Sequence, residues 1–102
     1  MIKCQRLGDH LFLTDDEGES CSLPYSLYGI IKKKLISLSS IKDWRQKKEQ
    51  YEEEATRQFI VNRLNRRGYF SEEIRNLLIN IGVTPTLIDQ LITQYRALHI
   101  LD

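Results

Sequence analysis

Little in these 102 residues invites reactive chemistry. The chain has two cysteines, two histidines, two prolines, one methionine and one tryptophan. It contains no GxSxG, no Gly-rich phosphate loop and no HExxH. His10 and His99 fall in different expected elements, and the adjacent pairs Asp15-Asp16 and Glu72-Glu73 suit turns and helix starts better than acid–base work. An enzyme, a cofactor, a metal and a small-molecule substrate are therefore not expected. No apolar run approaches the ~18 residues of a membrane span. The N-terminus, MIKCQRLGDH, lacks the apolar core of a secretory signal, so the cytoplasm is the expected compartment. The net charge of +1 supplies no global field toward nucleic acid or anionic lipid, and any basic function must come from local clustering.

Cys4 and Cys21 fall on expected strands of one small sheet and could be neighbours. They are expected as small buried thiols. A disulfide is the lesser reading because nothing else indicates an oxidising compartment, and no CxxC spacing supports zinc.

What the chain does have is helical periodicity. With 41% apolar and 28% charged residues, it has the composition of one soluble globular domain or a piece of one. Residues 59–98 read as three helices separated by two short breaks, Arg67-Gly68-Tyr69-Phe70 and the glycine at 82. Gly68 can end a helix with positive φ, and Ser71 can cap the next. Ile74, Leu77, Leu78 and Ile81 form one apolar stripe. Gly82 stops that helix, Thr84 caps a third, and Pro85 takes its first position. Leu87, Ile88, Leu91, Ile92, Tyr95 and Leu98 are its expected buried face.

Upstream, residues 2–23 alternate as a three-stranded antiparallel β-meander, with turns at Gly8-Asp9 and Asp15–Gly18 and a third strand over 19–23. Tyr25 to Leu35 reads as a short helix weakened by Gly29, with Leu27, Ile30, Ile31 and Leu35 buried. Lys32, Lys33 and Lys34 complement its C-terminus or form a phosphate-contacting patch. Ser40 and Asp43 have capping-box spacing. From Ile41 to about Arg66 neither glycine nor proline occurs, which predicts one helix of roughly 25 residues, about 38 Å long. Its first half is thinly apolar and is expected to act as an arm, with Trp44 pinning the meander end. The expected fold is mainly α, a three-helix repeat preceded by a long helix and a small N-terminal β-meander. The expected division is residues 1–37 and 38–102.

Two functional readings of the helical unit differ in class. Around Gly82, residues Leu77, Ile81, Val83, Ile88 and Leu91 match the apolar positions of a DNA-binding helix-turn-helix. Against it, Leu78 stands where a small residue permits the tight crossing. The second helix also offers Asp89 and Gln90 with no cation before Arg96.

The other reading is a resemblance. Phe59, the Arg66-Arg67-Gly68-Tyr69 junction, Ile74-Arg75, Leu78, the Gly82-Val83 break and the terminal Ile100-Leu101-Asp102 resemble one tandem three-helix repeat of the RecX family, regulators of the RecA recombinase. The likeness is dense over 57–102 and loose over 1–56. It implies a fragment or shortened relative of a longer tandem-repeat protein. It also implies a non-enzymatic role: binding the RecA–DNA filament along its groove and mostly inhibiting the recombinase. Arg63, Arg66, Arg67 and Arg75 gather around one junction and could meet acidic protein surface or DNA phosphate through the filament. Equally, they could be solvated or pair with Glu72 and Glu73. A generic protein-interaction domain is the remaining alternative.

Overall fold

A computed structural model describes residues 1–66 and 71–99 of the chain. The protein is mostly helical, with one small antiparallel sheet at its N-terminus. The residues gather into two compact units, Met1–Ala55 and Thr56–Asp102. The division therefore falls within a helix rather than at the change of pattern after residue 37.

In the first unit, β1 (Lys3–Leu7), β2 (His10–Thr14) and β3 (Ser20–Pro24) form a meander in that order. Gly8 opens the two-residue turn between β1 and β2 at φ 59°, a conformation that costs glycine nothing. Alternation along β2 buries Leu11 and Leu13 and leaves His10, Phe12 and Thr14 exposed. The inner face lies under short helices. α1 (Tyr25–Tyr28) packs on β2 and β3, and α2 (Lys32–Ile36) packs on β1.

A 3-10 turn at Gly29–Ile31 separates these helices, so the single helix expected over 25–35 is interrupted. The tighter winding changes the phase of the buried stripe. Leu27, Ile31 and Leu35 are buried as expected, but Ile30 is 42% exposed and Tyr28 is buried instead. Gly29 is needed for a close approach, because a Cβ there would sit 2.8 Å from Cε2 of the Tyr25 ring. That ring in turn carries the Arg6 guanidinium, 3.7 Å from its centroid.

The long helix expected from Ile41 is also two helices. α3 (Ile41–Gln46) ends at Lys47, and α4 (Lys48–Arg66) follows. No local breaker announces this turn. Across it the rings of Trp44 and Tyr51, seven residues apart, pack with centroids 6.0 Å apart. Tyr28 completes the cluster edge-on to Trp44 at 5.5 Å. Burial, aided by the Glu52 charge, pushes the Tyr28 hydroxyl far above the usual phenol range. Ile41, Trp44 and Ala55 are buried, so this segment is part of the first unit's core and not an arm. Lys34 pairs with Glu54, and Arg45 bonds Glu19 at 2.9 Å.

Asp15 ties the sheet to α3. Its Oδ1 accepts hydrogen bonds from the amides of Glu17 and Glu19, closing the loop between β2 and β3. Its Oδ2 accepts from the amide of Ile41, the first residue of α3. Ser40 Oγ accepts from Asp43 N, the forward half of the expected capping box. Two orphan amides of one helix start are thus satisfied, one locally and one from the sheet.

The cysteines are free and half-buried. They are not neighbours, because Cys4 and Cys21 both pair with Leu13, one on each side of it. Two strand spacings put their Cα atoms about 9.5 Å apart, beyond the ~7 Å limit of a disulfide. Burial raises the Cys21 thiol pKa above its ordinary value, which keeps it protonated.

In the second unit the latter part of α4 is followed by α5 (Ser71–Ile81) and α6 (Pro85–Ala97). The junction expected at Gly68, with Tyr69 and Phe70, lies outside the described residues. Glu72 and Glu73 occupy the first turn of α5. Its end is a Schellman motif: Val83 N donates to Leu78 O at 3.1 Å and Gly82 N to Ile79 O at 3.0 Å. Gly82 sits at φ 101°, and Val83 is buried with Leu78. Pro85 opens α6 as expected, but the Thr84 side chain makes no cap hydrogen bond. Ile88, Leu91, Ile92 and Tyr95 are buried, while Leu98 lies past the helix end and is 65% exposed. Among the described residues, no helix is long and apolar enough to cross a membrane.

Two consequences can be measured. Gly82→Ala meets no neighbouring atom, so only the left-handed backbone opposes it. It should lower stability by about 1–2 kcal/mol in urea unfolding; an unchanged midpoint would contradict the Schellman geometry. For Asp15, the hydrogen bond from the Ile41 amide is the largest influence on its carboxyl; burial opposes it, and the amides of Glu19 and Glu17 add to it, so the pKa stays below the ordinary 3.8. A depressed native pKa stabilises the fold above the unfolded value and is lost as pH falls through the native one. Trp44 emission should therefore show the first unit weakening below pH ~4. Asp15→Asn should be less stable at neutral pH and lose less on acidification.

Candidate partner-binding surface

The arginines singled out by the sequence have different fates. Arg63 lies on α4, one turn after Phe59, and its guanidinium carbon sits 4.9 Å from the centre of that ring. Spacing of four on a helix brings the two side chains together, and the arginine stem covers the buried ring while the side chain stays half-exposed. Arg66 is the last residue of α4; its side chain, and the whole of Arg67, lie outside the described residues.

Arg75 is engaged within the unit. It bonds the Asp89 carboxylate of α6 through Nη1, and its Nε lies 3.5 Å from Glu72 Oε1 on its own helix. The hydrogen bond to Asp89, with Glu72 adding to it, holds the guanidinium above even its ordinary range. Glu72 is thus one of the two carboxylates anticipated as a partner. Asp89 is the one that sequence spacing alone does not offer, because it arrives from the next helix. The arrangement makes Arg75 a clasp between α5 and α6.

A second polar clasp went unread in the sequence. Arg57 donates through Nη2 to Gln94 Oε1 at 3.0 Å, joining α4 to α6. Each of these residues alone resembles an ordinary solvated helix position, so no local signal marks the pair.

The start of α6, where a major-groove reader would present cations, carries Thr86, Asp89 and Gln90 as its exposed polar groups. Leu78, at the position where a small residue would allow close helix crossing, is fully buried. Lys32, Lys33 and Lys34 line α2 as exposed residues, the last two in its final turn, and Lys34 is paired with Glu54. Among the described residues, no group of three or more His, Cys, Asp or Glu is placed to hold a metal ion. His10 Nδ1 instead lies 3.2 Å from Ser22 Oγ across the sheet.

The clasp between Arg75 and Asp89 is exposed, and exposed ion pairs contribute about 0.2–1 kcal/mol. A double-mutant cycle on Arg75→Ala and Asp89→Ala should return a coupling within that range. Leu78→Ala, which empties a fully buried site, should cost about 2–5 kcal/mol. A coupling larger than the Leu78 effect would reverse this order and make the polar clasp the main tie.

Comparison with known protein families, with curated proteins and with solved structures finds no match to this chain.

Proposed function

We propose that this protein is a RecX-like regulator that binds a RecA–DNA filament and lowers recombinase activity without performing chemistry of its own. In this reading the latter part of α4, α5 and α6 form one three-helix repeat, and the protein works in the cytoplasm beside the recombinase. The observation that carries it is where the resembling residues lie. Phe59, Ile74, Leu78 and Val83 are all buried, and Gly82 holds the left-handed turn between α5 and α6. The likeness thus rests on the positions that hold the helices together, not on a run of surface residues that many helices share. Those positions support a common shape, and a row of such units suits a helical groove, each contacting a successive protomer.

For the contact itself, Arg63 is the best supported of the arginines. Its stem is braced on Phe59, which lowers the entropy lost when the guanidinium engages a carboxylate or phosphate. Arg66 and Arg67 extend the same patch along the sequence. Arg75 serves it indirectly, by fixing α5 against α6. The helix-turn-helix alternative gains no support from an α6 start whose carboxylate is already bound by Arg75.

The test is recombinase-driven strand exchange and single-strand-dependent ATP hydrolysis. Substoichiometric protein should suppress both, and no effect at equimolar protein would sink the proposal. Arg63→Glu with Arg67→Glu should weaken filament binding by about tenfold or more while circular dichroism stays native. Unaltered affinity in that variant would remove the patch from the interface.

A further inference from the structure

The outer face of the sheet has no role in the recombinase reading, yet it carries an exposed aromatic ring on its middle strand. Phe12 stands at its centre, on the middle strand, and is 37% exposed although its neighbours Leu11 and Leu13 are fully buried. Directly opposite it lie Gln5 on β1 and Ser22 on β3. His10, two residues along the same strand, places its ring centroid 6.2 Å from that of Phe12, and Ser22 Oγ lies within hydrogen-bond distance of its Nδ1. Lys3 occupies the edge strand one row away, opposite Thr14.

None of the outward positions of the three strands is Asp or Glu. Three carboxylates in the loop beyond them are already engaged. Asp15 is bound to backbone amides, Asp16 to the N-terminal ammonium at 2.6 Å, and Glu19 to Arg45. The outward strand positions thus carry no carboxylate, although Asp9 and Glu17 lie in the flanking turns; Lys3 stands at one edge, and the ring is flanked by an amide and a hydroxyl.

We propose that this face binds single-stranded nucleic acid, with a base stacked on Phe12, Gln5 and Ser22 bonding base edges, and Lys3 meeting a backbone phosphate. An exposed ring on a sheet offers a π-face to any base, and neighbouring polar side chains add edge contacts. A second copy of the chain fits the face less well. Sheet-on-sheet packing needs a continuous apolar row, whereas here Phe12 is bordered by Gln5 and Ser22. The inference stands apart from the recombinase reading, because the contact is between this chain and free nucleic acid.

The experiment is fluorescence anisotropy of a short fluorescein-labelled oligothymidylate titrated with the full chain at low salt, with no recombinase present. Saturable binding is expected. Phe12→Ala should weaken it by about tenfold or more and Phe12→Trp should retain it, because stacking needs only an aromatic face. Lys3→Ala should weaken it less and flatten its salt dependence. Trp44 emission reports whether each variant keeps the first unit folded, and an outward-facing Phe12 predicts that it does. Absence of saturable binding by the parent chain would overturn the proposal, as would equal binding by folded Phe12→Ala. So would a dimer in sedimentation velocity that Phe12→Ala dissociates, since the face would then belong to a second copy.

Discussion

The carboxylate of Asp15 is the constraint on which the first unit depends. One side chain closes the loop between two strands and also receives the first amide of α3, which follows β3, α1 and α2 along the chain. A three-stranded meander with no second layer is marginal in water. By binding Ile41 N, Asp15 fixes where α3 begins, and that start delivers Ile41 and Trp44 to the core. The bond is charge-assisted on the acceptor side, which makes it stronger than a neutral cap. It also makes the first unit sensitive to protonation of Asp15 at low pH.

Around that point the first unit makes its core from small contributions. Leu11 and Leu13 bring the sheet's inner face, Leu27, Ile31 and Leu35 come from the short helices, and Trp44 meets Tyr28 and Tyr51. The second unit is built differently. Its stripes on α5 and α6 are continuous, its one described turn is a glycine-centred Schellman motif, and its polar ties, Arg75 to Asp89 and Arg57 to Gln94, lie at the surface. Magnitudes decide which matters: surface ties of that kind contribute little beside a buried leucine. Replacing Arg75 or Arg57 should therefore cost the fold far less than emptying the Leu78 site.

Much of this was legible before any coordinates. The strands, the glycine turn at Gly8, the cap at Ser40 and the stop at Gly82 each follow from residues within a few positions of one another. The misreadings share one physical cause. Lys47 interrupts a stretch with no glycine or proline where Trp44 packs against both Tyr28 and Tyr51, a tertiary contact that local propensity does not record. Ile30 turns outward because three residues wind as 3-10. By sequence Arg75 is expected to be solvated, to pair with Glu72 or Glu73, or to meet a partner; its bond to Asp89 is not legible there because Asp89 is fourteen residues away.

Sequence alone determined the element types, the strand alternation of the meander, most of the inward face of α5 and α6, and the absence of familiar catalytic motifs, because periodicity and turn chemistry act over short range. Tertiary structure decided the rest. It set Leu13 between the two cysteines, carried Asp15 to the start of α3, turned Arg75 toward Asp89 and left Phe12 uncovered on the outer sheet. Each of those outcomes joins residues distant along the chain, and only packing brings such residues within reach.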